Sequence, residues 1–107
     1  MKDSIRADFH MHTNFSYDCL VKPENLVAKA QKVGLGLIAV TDHNSIDGAL
    51  AARLVGAIPV IIGEEIKSTE GEITGLFLEE YIPPGLSPLD TVKRIKEQGA
   101  LVSIPHP

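Results

Sequence analysis

The sequence predicts an α/β fold of successive strand–helix units on a parallel sheet, and three observations lead there. Short β-branched apolar runs alternate with segments of helical spacing. One of these runs, residues 37–40, is continuously apolar, as suits a strand covered on both faces. All four histidines fall where such runs end, and parallel sheets gather their functional groups at the carboxyl ends of strands. At 107 residues and 11.5 kDa the chain reads as one domain over 1–107. It is short of the roughly 200 residues of a closed α/β barrel.

Each element follows from its residues. The first strand is expected over 5–12 and feeds a polar loop over 13–22. Pro23 at a first helical position and Glu24 beside the positive end of the dipole start helix one. Leu26, Val27, Ala30 and Val33 form its buried stripe, and Gly34 supplies the stop. Strand two, 37–40, ends abruptly in Thr41-Asp42-His43-Asn44. Ser45 is placed to cap a second helix running to about Val55, weakened by Gly48, with a thin stripe of Ala49, Ala52 and Leu54. Strand three begins at Pro59 and runs on into Glu64, Glu65 and Ile66. A turn over 69–72 and an apolar run over 73–78 predict a hairpin-like excursion after it. Ser87-Pro88-Leu89-Asp90 opens a third helix with Leu89, Val92 and Ile95 inward, and Gly99 ends it before a last strand over 100–104.

Composition narrows the function. Hydrophobic residues at 44%, charged residues at 22% and a mean hydropathy of +0.09 are those of a chain that folds. Ten basic against fourteen acidic residues give a formal charge of −4, a poor footprint for gripping long duplex nucleic acid. No apolar run suits a membrane helix and the N-terminus lacks a signal-peptide pattern, so a cytoplasmic location with no membrane partner is expected. Cys19 has no partner for an internal disulfide and reads as a packing residue.

The chemistry lies at the strand ends. In Asp8-Phe9-His10-Met11-His12, strict alternation would send Asp8, His10 and His12 to one face, where two imidazoles can share a cation. Asp18, Asp42, Glu64, Glu65 and Glu72 lie in or just past the same exit loops. Zinc, manganese and iron accept imidazole nitrogen and carboxylate oxygen. Acids crowded on one rim repel each other unless a cation joins them. Taken singly, each feature has an ordinary explanation: a structural His-x-His, a capped turn at Thr41-Asp42-His43, a solvated glutamate pair, an exposed His106 between two prolines. Lys67, on the face of Glu65, could meet a phosphate or simply be solvated. Their common position on one rim favours a metal site.

Together these residues resemble the PHP domain, named for polymerase and histidinol phosphatase. The resemblance rests on D-x-H-x-H-T at Asp8–Thr13, Ser16-Tyr17-Asp18, T-D-H at Thr41–His43, Gly63-Glu64-Glu65 and His106-Pro107. It implies the N-terminal half of a distorted (β/α)7 TIM-like barrel that binds up to three divalent ions (Mn, Zn or Fe) and hydrolyses phosphate esters with a metal-activated hydroxide. The ligands it implies are His10, His12, Asp18, His43, Glu65 and His106. Asp8 and Asp42 would orient imidazoles by accepting their second N–H. Many members carry His where Glu72 stands, so Glu72 is a doubtful ligand. The substrate it implies is a small phosphorylated molecule or a nucleotide. Histidinol phosphate, or a non-catalytic metal-stabilised module such as a polymerase part, is the alternative. The family's later motifs fall beyond residue 107, so the metal shell and the leaving-group acid are expected to be incomplete in these residues. A half barrel also leaves a sheet edge and an apolar face uncovered, for which a homodimer or larger assembly is expected if 107 residues is the true length.

Overall fold

A curled five-stranded sheet organises the computed structural model, which describes residues 5–104. Its elements are β1 (Arg6–Met11), α1 (Pro23–Lys32), β2 (Leu35–Val40), α2 (Asp47–Val55), β3 (Val60–Ser68), β4 (Gly71–Leu76), α3 (Pro88–Glu97) and β5 (Leu101–Ser103). The strands lie in the order β1-β2-β3-β4-β5. The first three are mutually parallel, whereas β4 is antiparallel to both β3 and β5. The sheet is therefore mixed. The expected hairpin is β3–β4, and β5 runs in the direction of the first three strands. Ser68 fixes the hairpin turn: its hydroxyl donates to the Gly71 carbonyl at 2.6 Å and accepts from the Glu70 N–H at 3.2 Å.

The helices cover one side of this sheet. Ile38 and Val40 of β2 and Val60, Ile62 and Ile66 of β3 form one core with Leu26, Val27 and Ala30 of α1, Ala49 and Ala52 of α2 and Ile95 of α3. Each fully buried aliphatic side chain contributes about 1.5–3 kcal/mol. Three residues of the expected stripes are not in this core. Val33 is the C-cap of α1, one residue past the helix, and is half-exposed. Leu54 is 88% exposed because α2 meets the sheet through its alanines. Leu89 lies in the first turn of α3 and faces out, while Thr91 and Ile95 turn inward.

Local chemistry sets the helix starts. The Ser87 hydroxyl accepts the Asp90 N–H at 3.1 Å, as its position before Pro88 predicts. At α2 the cap is Ile46 rather than Ser45, which sits one residue earlier and accepts the Asp47 N–H at 3.1 Å. Gly48 has a packing reason outweighing its low helix propensity. A Cβ there would collide with the Asp42 carboxylate and the Thr13 hydroxyl, so α2 reaches the β1 and β2 exit loops only with glycine at this point.

Candidate metal centre

The exit loops of β1, β2 and β3 are tied into one unit. Asp42, fully buried, receives the Thr13 N–H, the Thr13 hydroxyl at 2.6 Å and the Ser16 hydroxyl at 2.7 Å. Ser16 in turn accepts the His43 N–H at 2.9 Å, which fixes the backbone that carries the imidazole. The β2–β3 pairing continues past the end of β2. Glu65 N–H donates to the Asp42 carbonyl at 2.9 Å and Asn44 N–H to the Glu65 carbonyl at 3.0 Å, so His43 and Glu65 lie side by side. Thr41 N–H donates to the Met11 carbonyl at 2.7 Å and brings the end of β1 to the same place.

Around Glu65 the side chains converge. His12 Nε2 lies 2.9 Å, His10 Nε2 3.5 Å and His43 Nε2 3.8 Å from Glu65 Oε1. Asp18 spans two imidazoles, with Oδ1 at 3.4 Å from His12 Nδ1 and Oδ2 at 3.1 Å from His43 Nε2. His43 Nδ1 meets Glu72 Oε2 at 2.8 Å across the hairpin. Three overlapping ligand groups result: His10, His12 and Glu65; His12, Asp18 and His43; His43, Glu65 and Glu72. In each, the donor atoms lie within 4.8 Å of one another. Every donor is an imidazole nitrogen or a carboxylate oxygen, the set that borderline divalent cations accept. The residues present thus fit a metal cluster by donor type, number and spacing.

The two glutamates of β3 are both buried but face opposite ways. Alternation places Glu64 with Ile62 and Ile66 on the helix-covered side, where its Oε1 accepts the Ile82 N–H at 3.0 Å and Oε2 has no hydrogen-bond partner. Burial pushes the Glu64 carboxyl up to about 7, and the Ile82 hydrogen bond opposes this only in part. Asp18 moves the other way. Desolvation raises its carboxyl, but the hydrogen bonds and charges of His12 and His43 outweigh that and hold it below the usual range.

Of the residues singled out from sequence, His10, His12, Asp18, His43 and Glu65 meet here, and so does Glu72, the doubtful one. His106 lies outside the described residues. Among the described residues, neither Asp8 nor Asp42 is hydrogen-bonded to an imidazole. The β1–β2 register shifts between Asp8 and Met11, an extra residue that puts Asp8 out of step with the histidines, and its Oδ1 accepts the His10 backbone N–H at 3.0 Å. Asp42 is engaged by Thr13 and Ser16 and orders the loop instead of an imidazole. The sequence assigned no role to Tyr17, whose ring lies 4.8 Å from that of His43, or to Asn44, whose Oδ1 accepts the Lys67 N–H at 2.9 Å. Asn44 has a φ of 52°, a conformation Asn tolerates better than most side chains, which was the available signal.

A half-barrel sheet with histidines and carboxylates clustered at the carboxyl ends of its parallel strands defines a domain with a candidate metal site on its rim. The PHP domain model matches residues 8–99, and the chain belongs to that family. An uncharacterized protein of Methanocaldococcus jannaschii is 43% identical over 96% of this chain and 68% of its own length. The PolC-type DNA polymerase III of Lactococcus lactis is 35% identical over 72% of this chain and 5% of the polymerase. Among solved structures, a two-domain Bacteroides vulgatus protein containing a predicted PHP-like metal-dependent phosphoesterase superposes with a TM-score of 0.80 at 28% identity. That match covers 92% of this chain and 34% of the other. The chain thus spans about two thirds of the archaeal relative and a third of the Bacteroides chain. Its sheet corresponds to the N-terminal half of the TIM-like barrel. No helix among the described residues is long and apolar enough to cross a membrane.

Proposed function

We propose that the rim cluster holds divalent metal ions and that the protein hydrolyses phosphate esters of small molecules or nucleotides. The observation that carries this reading is the overlap of the three ligand groups, in which His12, His43 and Glu65 each belong to two. Shared ligands are what neighbouring cations require, and a multi-cation centre suits a phosphoryl group carrying several anionic oxygens. Bound divalent ions would supply Lewis acidity at phosphorus and a water of lowered pKa. The chain's own residues supply the frame. Buried Glu65 is fixed through its backbone to Asp42 and Asn44, and His43 through Ser16, so the donors are preorganised. His106 would complete the ligand set on the family pattern.

Similarity to a segment of a PolC-type polymerase supports a second reading, a metal-stabilised module within a larger protein. Elemental analysis of the purified chain, and Mn²⁺-dependent hydrolysis of 4-nitrophenyl phosphate by a protein that also carries the family's later motifs, test both. Bound metal with turnover that chelation and His12→Ala abolish is expected from the phosphoesterase. Bound metal without turnover favours the module, and metal at background removes both.

A further inference from the structure

Beside the His43–Glu72 pair opens a cleft of about 380 Å³ lined by Tyr17, His43, Asn44, Lys67, Gly71 and Glu72. Neither the cluster nor the fold requires two of these side chains. Tyr17 is 85% exposed, with its ring tilted 35° to His43 at 4.8 Å, so one face is backed by the imidazole and the rest is open. An exposed aromatic ring held in place is a ready stacking platform. Lys67 stands opposite Glu72 in the hairpin register, and its backbone is anchored to Asn44. It is the cation of a wall whose other ionisable members are an imidazole, a carboxylate and the Tyr17 phenol. At Gly71 no side chain fills the cleft, and a Cβ built there would meet nothing within 4 Å.

We propose that this cleft receives the alcohol portion of the substrate and selects phosphate esters whose alcohol carries an aromatic ring. The ring lies on Tyr17, and Lys67 faces the anionic oxygens as a point charge. This rests on the phosphoesterase reading and deepens it by naming the substrate class. Aliphatic esters would reach the same cluster but leave Tyr17 unused. Both side chains are on the surface, so replacing either should leave the fold intact.

The test uses two non-hydrolysable probes, phenylphosphonate and methylphosphonate, titrated by NMR into the Zn²⁺-loaded chain and its Tyr17→Ala and Lys67→Met variants, all checked for equal zinc content. In the wild type, phenylphosphonate should bind about tenfold more tightly than methylphosphonate, the size of one stacking contact. Tyr17→Ala should abolish that preference without changing methylphosphonate affinity, and Lys67→Met should weaken both probes alike. Methylphosphonate binding with no phenyl preference, or a preference that survives Tyr17→Ala, overturns the proposal alone. Failure of the zinc-loaded chain to bind either probe overturns the phosphoesterase reading and this proposal with it.

Discussion

The two sides of β3 place adjacent glutamates in opposite chemical settings. Glu65, toward the rim, has three imidazoles within 4 Å of one carboxylate oxygen. Glu64, toward the helices, lies among isoleucines with one backbone N–H for company. Both are fully buried, so burial alone does not separate a ligand from a misfit charge. What separates them is the partner set. On the rim side, several polar groups converge and a cation can join them. On the core side, the cheaper solution for an isolated carboxyl is to keep its proton.

The largest effect expected from breaking this contrast falls on the rim. Asp42→Ala removes the acceptor for three buried donors at once, the Thr13 N–H and the hydroxyls of Thr13 and Ser16. Hydrogen bonds to a charged group contribute about 1.5–3 kcal/mol each, and stranded donors add to the loss. A destabilisation of about 3–5 kcal/mol is expected in urea unfolding of the metal-free chain. A loss below about 1 kcal/mol would mean that Asp42 does not organise the rim.

On the core side the expected change is smaller and depends on pH. The folded-state value of about 7 for Glu64 lies above its ordinary value of 4.5, so the folded chain binds the extra proton between those pH values. Its contribution is fully present below about pH 4.5 and is lost as pH rises through 7. The two values correspond to about 3 kcal/mol. Glu64→Gln is neutral throughout and escapes this loss. Relative to the wild type, the variant should gain about 3 kcal/mol between pH 4 and pH 8 in metal-free unfolding experiments. A difference independent of pH would show that Glu64 is not held protonated.

How far these two sides were legible in the sequence depends on the range of the forces involved. Alternation and strand-end position are local, and they lead directly to His10, His12, His43 and Glu65. The bulge that puts Asp8 out of step comes from pairing with β2, and the partners of Asp42 are 26 and 29 residues away, so no local pattern announces them. Glu72 reaches His43 only because the β3–β4 hairpin folds back over the rim. Gly48 reads as a weak helix residue until the approach of α2 to Asp42 is known. Leu54 marks the same limit, since the alanine contacts of α2 decide which way it faces. Leu54→Ala, at 88% exposure, should therefore change stability by no more than about 0.5 kcal/mol, the smallest effect expected here. A loss of 2 kcal/mol or more would return Leu54 to the core.

On the reading proposed above, the rim face of β3 is built for cations and the core face is not. Calorimetric titration of Zn²⁺ into the metal-free chain, Glu65→Gln and Glu64→Gln at pH 7 tests it most directly. Glu65→Gln is expected to weaken binding by at least about tenfold, while Glu64→Gln stays within about twofold of the wild type. Equal binding by all three chains, or a loss in Glu64→Gln matching that in Glu65→Gln, would contradict it.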